Sequence, residues 1–184
     1  MRCLTLRSTG RCAIKPRSAG DLHVRHHSET RMLSLDHKIP PPVVGVLVAA
    51  AMWGVSVIGP QFPIAPEARY VAAAILAVAG AAFDLLGLVA FRASRTTINP
   101  LKPARATVLV TEGVYRVTRN PMYVGLGFFL LAWAVYLSAL LPFAGLAIYV
   151  LYITRFQIQP EERVLMGIFG AEFSAYAARV RRWL

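Results

Sequence analysis

Residues able to do chemistry gather in three short stretches of the 184-residue chain. The first, Gly113 to Gly127, sets Arg116 and Arg119 three residues apart ahead of Asn120-Pro121, then opens an uncharged apolar run with Tyr123 and Gly125-x-Gly127. The second is Glu161-Glu162, directly after Pro160, and the third is the tail carrying Arg179, Arg182 and Trp183. Cations placed where an apolar run begins meet the edge of a bilayer. The glycines remove side chains there, which lets either another helix or a bound molecule approach the backbone. Together these residues have the make-up of a cofactor site at the mouth of a membrane hairpin. Asn120 adds a group that hydrogen-bonds but does not titrate. All four histidines (His23, His26, His27, His37) and both cysteines (Cys3, Cys12) precede the first apolar segment. A histidine-based triad, a catalytic cysteine or a His-ligated metal would therefore need residues that the apolar part lacks, and no metal is expected.

The elements that must position these groups follow from composition and charge. With 57% hydrophobic and 16% charged residues, the chain reads as an all-α integral membrane protein. A formal charge of +11 is no sign of nucleic acid here, since no recognition motif accompanies it. Residues 1–38 read as a disordered or dispensable basic leader, with a targeting peptide as the other reading, and 39–184 as the membrane domain. Val43–Gly59, 17 uncharged residues, reaches roughly 26 Å as a helix. Tyr70–Phe91 forms a second span, interrupted by Asp84. A carboxylate there costs something like 3 kcal/mol on insertion scales, so Asp84 needs a partner, either as a structural hydrogen-bonder between helices or on the wall of a cofactor cavity.

From Pro121 to Thr154 no residue is charged, and this length as one helix, roughly 51 Å, exceeds a hydrocarbon core. The run must fold back, and Ser138–Pro142 offers the break. The expectation is four transmembrane helices ending in a hairpin, with small residues such as Gly125 and Gly145 packing its arms, followed by a short interfacial C-terminal helix that starts after Gly170. Ala106–Thr111 is β-branched and short, and the sequence leaves its form open. Basic residues number 8 before the first span, 6 between the second and third, and 5 after the fourth, which is 19 of 20 on one side. The positive-inside rule then puts both termini in the cytoplasm.

Gly113-x-Tyr115-Arg116-x-x-Arg119-Asn120-Pro121-x-Tyr123, the pair Glu161-Glu162, and Phe169-Gly170-x-x-Phe173-x-x-Tyr176-x-x-Arg179-Val180-x-Arg182-Trp183 together resemble the isoprenylcysteine carboxyl methyltransferase family and the related phospholipid N-methyltransferases. The resemblance covers Gly113 to Leu184. It departs at Asn120, where the family often has histidine. It implies methyl transfer from S-adenosylmethionine to a lipid or small lipophilic acceptor bearing a carboxylate, thiol or amine, at the cytoplasmic face of a bacterial inner membrane. It further implies that Glu161 and Glu162 receive the donor's ammonium or ribose hydroxyls, that Arg116 or Arg119 holds its carboxylate, and that Tyr123, Gly125 and Gly127 lie beside it. Arg119, Asn120, Arg179 and Arg182 are then the groups for the acceptor and the reaction. The competing expectations are an NADPH-dependent reductase of sterol-reductase-like architecture and a non-catalytic membrane scaffold.

Overall fold

A computed structural model describes residues 39–93 and 108–184. The leader, 1–38, and residues 94–107 of the basic connection lie outside the described residues.

Every element among the described residues is helical. Helix α1 (Pro41–Ser56) and helix α2 (Pro66–Ala93) come first. Both begin a few residues before the uncharged runs do, because proline is tolerated at a first helical turn whose N–H groups have no intrahelical partner. Helix α2, at 28 residues, is the described helix long and apolar enough to cross a membrane, and only 11% of its apolar window is buried. Val46, Leu47 and Trp53 of α1 and Ile75, Val78 and Leu85 of α2 are all more than half exposed. So much unpartnered apolar surface on these two helices suits a lipid environment.

A 3₁₀ turn (Gly113–Arg116) precedes helix α3 (Pro121–Leu137). The chain reverses at the expected break: Ser138 ends α3 in the left-handed conformation with φ 52°, and helix α4 (Pro142–Ile153) returns. Beyond Ile153 the helix continues through a π turn (Thr154–Ile158) into helix α5 (Gln159–Phe169). A π turn widens the backbone ring, and here it precedes Pro160, whose ring would crowd a regular α-helical carbonyl. Gly170, at φ 50°, stops α5 in a conformation that a side chain would strain, and helix α6 (Ala171–Arg179) follows. Helix α6 buries Phe173 and Tyr176 against the domain, so it is more than an interfacial anchor.

The expected packing of the hairpin arms through Gly125 is corrected. Gly125 of α3 meets Gly80 of α2, where a Cβ on either would lie 2.8 Å from the other's carbonyl oxygen. Gly145 of α4 meets Met52 of α1. The glycines therefore join the hairpin to α1 and α2, because only a missing Cβ permits helix axes this close.

The two turn regions pair at one end of the bundle, with Phe62 N–H donating to the Ser138 carbonyl (3.1 Å) and Leu140 N–H to that of Pro60 (2.9 Å). At the opposite end the tail is tied to the loop before α3. Arg119 N–H donates to the Arg181 carbonyl at 2.9 Å. Asn120 Nδ2 donates to the Arg182 carbonyl at 2.9 Å, and Thr118 Oγ1 to the same oxygen at 3.2 Å. Trp183 Nε1 reaches Thr154 Oγ1 at 3.1 Å.

Candidate active site

Between these tied segments lies a cavity of about 450 Å³, within the range usual for small-molecule sites. Its apolar wall comes from Pro41 and Pro42, Phe91, Val108–Val110, Leu126, Phe129, Leu165 and Phe173. Its polar groups are Asp84, Tyr115, Arg119, Asn120, Tyr123, Glu161, Glu162 and Tyr176. The stretch whose form the sequence left open thus contributes lining at Val108–Val110, without helix.

The adjacent glutamates are held differently. Glu162 stands between two guanidinium groups: Arg119 Nη1 at 3.0 Å, and Arg182, which binds with Nη2 at 2.6 Å and Nε at 3.1 Å. The Arg119 and Glu162 side chains are only 14% and 17% exposed, so this is a largely desolvated, charge-assisted network. Glu161 instead accepts a 2.6 Å hydrogen bond from the Tyr123 hydroxyl. Burial pushes the Glu161 carboxyl up to about 7, against the lowering effect of the Tyr123 bond and with a smaller push from Glu162. Burial likewise raises the Tyr176 phenol to about 12; its hydroxyl donates to the Tyr115 carbonyl at 2.8 Å.

Of the residues singled out in the sequence, Arg119, Asn120, Tyr123, Glu161 and Glu162 meet at the cavity, and Arg182 joins them through Glu162. The other four neither line it nor pair with residues that do. Arg116 pairs with Glu112 at 2.6 Å, where the two side chains are 70% and 75% exposed. The cause is local: the 3₁₀ turn ends at Arg116 and the chain changes direction before Arg119, so three-residue spacing does not give a shared face. Arg179 is exposed and its Nε reaches only its own helix, at the Ala175 carbonyl. Gly125 is taken up by the α2 crossing, and Gly127 lies against Tyr149.

Sequence reasoning missed Thr118, which is fully buried, accepts from Asn120 N–H at 3.2 Å and helps hold the tail. No pattern marked it. Tyr115 and Tyr176 were visible as motif positions, but the hydrogen bond from the Tyr176 hydroxyl to the Tyr115 carbonyl was not. Two polar atoms at the cavity lining, Arg119 Nε and Asp84 Oδ1, are buried and have no hydrogen-bond partner among the described residues. No cluster of three His, Cys, Asp or Glu side chains suited to a metal ion occurs among the described residues.

The profile of the phospholipid methyltransferase family matches residues 68–172. The chain belongs to that family. The match runs back through α2, well before the motifs that suggested the resemblance, and so includes Asp84. An uncharacterized protein of Haemophilus influenzae is 44% identical over 63 residues, which are 34% of this chain and the whole of that protein. No solved structure matches.

Proposed function

We propose that the chain is an integral membrane methyltransferase that takes its methyl group from S-adenosylmethionine and delivers it to a lipophilic acceptor, as the isoprenylcysteine carboxyl methyltransferases do, at the cytoplasmic face. The observation that carries this reading is one cavity combining a half-buried acid (Glu161), a guanidinium with an unused donor (Arg119 Nε) and an apolar wall. The donor set fits: an amino acid tail offers an ammonium to a carboxylate and a carboxylate to a guanidinium.

When bound, S-adenosylmethionine supplies an electrophilic methyl on a sulfonium. The chain's part is to bind, align and keep water out. Glu161, oriented by Tyr123, accepts from an ammonium or from ribose hydroxyls. Arg119, fixed by Glu162, keeps Nε free to donate to a carboxylate. Asn120 is held by the Arg182 carbonyl at the entrance to α3. Glu162 and Arg182 act by holding Arg119, which replaces their expected direct roles. Phe91, Phe129 and Leu165 exclude water and offer surface to an acceptor's apolar part.

The topology proposed is four crossings with the site and both termini on the basic side. Pairing of residues 60–62 with 138–140 at the other end of the bundle supports it. A cysteine at Gln61 should be labelled from outside intact cells and one at Arg116 should not.

Thermal unfolding of the purified protein tests the function. A ligand at 100 times its Kd should stabilise the native state by about 2.7 kcal/mol. S-adenosylhomocysteine should do so and NADPH should not; stabilisation by NADPH alone would transfer the site to a reductase.

A further inference from the structure

Between Arg69 and Arg92, Asp84 is the single charged residue of α2. It lines the cavity beside Leu126 and Phe129, roughly one helical turn inside Pro121, since it lies against Gly125. A Cβ at Gly125 would overlap the Asp84 carboxyl. The Gly80–Gly125 crossing therefore holds this carboxyl at the cavity, and any larger residue at 125 would displace it.

Among the described residues no cation pairs with Asp84. Arg119, which shares the cavity, pairs through Nη1 with Glu162, and Arg182 pairs with Glu162 too. Asp84 Oδ1 is buried without a hydrogen-bond partner among the described residues. A buried acid left this way costs free energy unless a proton or a cation meets it. The aromatic lining of the same cavity, Phe91, Tyr123 and Phe129, offers ring faces, which attract organic cations.

We propose that Asp84 is the binding group for an organic onium centre, an ammonium or a sulfonium, inside the cavity. This rests on the methyltransferase reading for its two sources of such a charge: the sulfonium of the methyl donor and an ammonium carried by an acceptor. In either case the carboxylate sits opposite the positive centre and the rings enclose it, so the acid is a recognition element and not a brace between helices.

Calorimetric titration of the full-length protein tests this with three probes: S-adenosylmethionine, its product S-adenosylhomocysteine, which lacks the sulfonium charge, and decyltrimethylammonium below its micellar concentration. Asp84→Asn keeps the shape and removes the charge. If the sulfonium is the partner, the variant loses at least tenfold in S-adenosylmethionine affinity while S-adenosylhomocysteine stays within twofold. If an acceptor ammonium is the partner, decyltrimethylammonium loses at least tenfold and both nucleosides hold. Unchanged affinity for both cations overturns the proposal. So does a parallel loss for all three probes with a lowered unfolding temperature, which would mark a structural acid. A parent that binds neither nucleoside refutes the methyltransferase reading, and the ammonium probe then decides Asp84 alone. Should Asp84→Asn fail to fold, Asp84→Ala is read by the same criteria.

Discussion

Two walls of one cavity treat their acids in opposite ways. On the wall formed by the tail and the start of α3, Glu162 is saturated by Arg119 and Arg182, and the surrounding backbone is tied by Thr118 and Asn120. On the wall formed by α2 and α3, Asp84 Oδ1 has no hydrogen-bond partner among the described residues, and at the same cavity Glu161 accepts from the neutral Tyr123 hydroxyl. The difference separates architecture from recognition. An acid whose charge is matched internally fixes the position of its partners, and an acid matched poorly retains affinity for something that arrives.

The sharpest way to break the contrast is to damage the saturated wall. Glu162→Gln leaves two guanidinium groups without their counter-charge, and removing one member of a buried network costs about 3 kcal/mol. Thermal unfolding of the ligand-free protein should show that loss.

Glu161→Gln should do the reverse, leaving folding intact and lowering S-adenosylhomocysteine affinity on the order of 10- to 150-fold. Its pH behaviour sharpens the point. The folded-state value near 7 lies above the ordinary 4.5, so the folded protein binds the proton more tightly than the unfolded chain does. The stability this provides is fully present below about pH 4.5 and is lost as pH rises through about 7, while affinity for an ammonium-bearing ligand rises over the same window. Titrations of unfolding temperature and of binding should therefore slope in opposite directions, and both slopes should flatten in Glu161→Gln.

A smaller effect is expected at the crossing behind the recognition wall. Gly125→Ala forces a methyl against the Gly80 carbonyl and the Asp84 carboxyl, an overpacking that costs about 1–3 kcal/mol and is read by thermal unfolding. The smallest belongs to Arg116→Ala, which removes only an exposed pair and should change stability by less than about 0.5 kcal/mol, with S-adenosylhomocysteine affinity unchanged.

The helical order was legible because its signals are long: an uncharged run too long for one crossing, a proline-marked break, and Gly170 at a stop. The neighbourhood of Arg119, Asn120 and Glu161-Glu162 was legible as motif order. Which arginine turns inward was not, since Arg116 and Arg119 are chemically alike and differ only through a 3₁₀ turn that spacing does not reveal. Gly125 was ambiguous for a related reason: a missing side chain admits a helix or a ligand equally well, and only the approach of Gly80 decides between them. Asp84's place on the wall depends on that same crossing of Gly80 and Gly125, which joins residues 45 apart in the chain.

The π turn at Thr154–Ile158 sets the rotational phase of everything after it. Each helical residue advances the azimuth by roughly 100°, so losing one residue from this turn would carry Glu162 into the angular slot of Glu161 and Arg163 into that of Glu162. A third guanidinium would then face Arg119 and Arg182 where an anion now joins them. The sign of the charge at the heart of the site is in this sense a matter of counting: one residue fewer in the widened turn exchanges a clasp for a repulsion, with Glu161, Glu162 and Arg163 all still present.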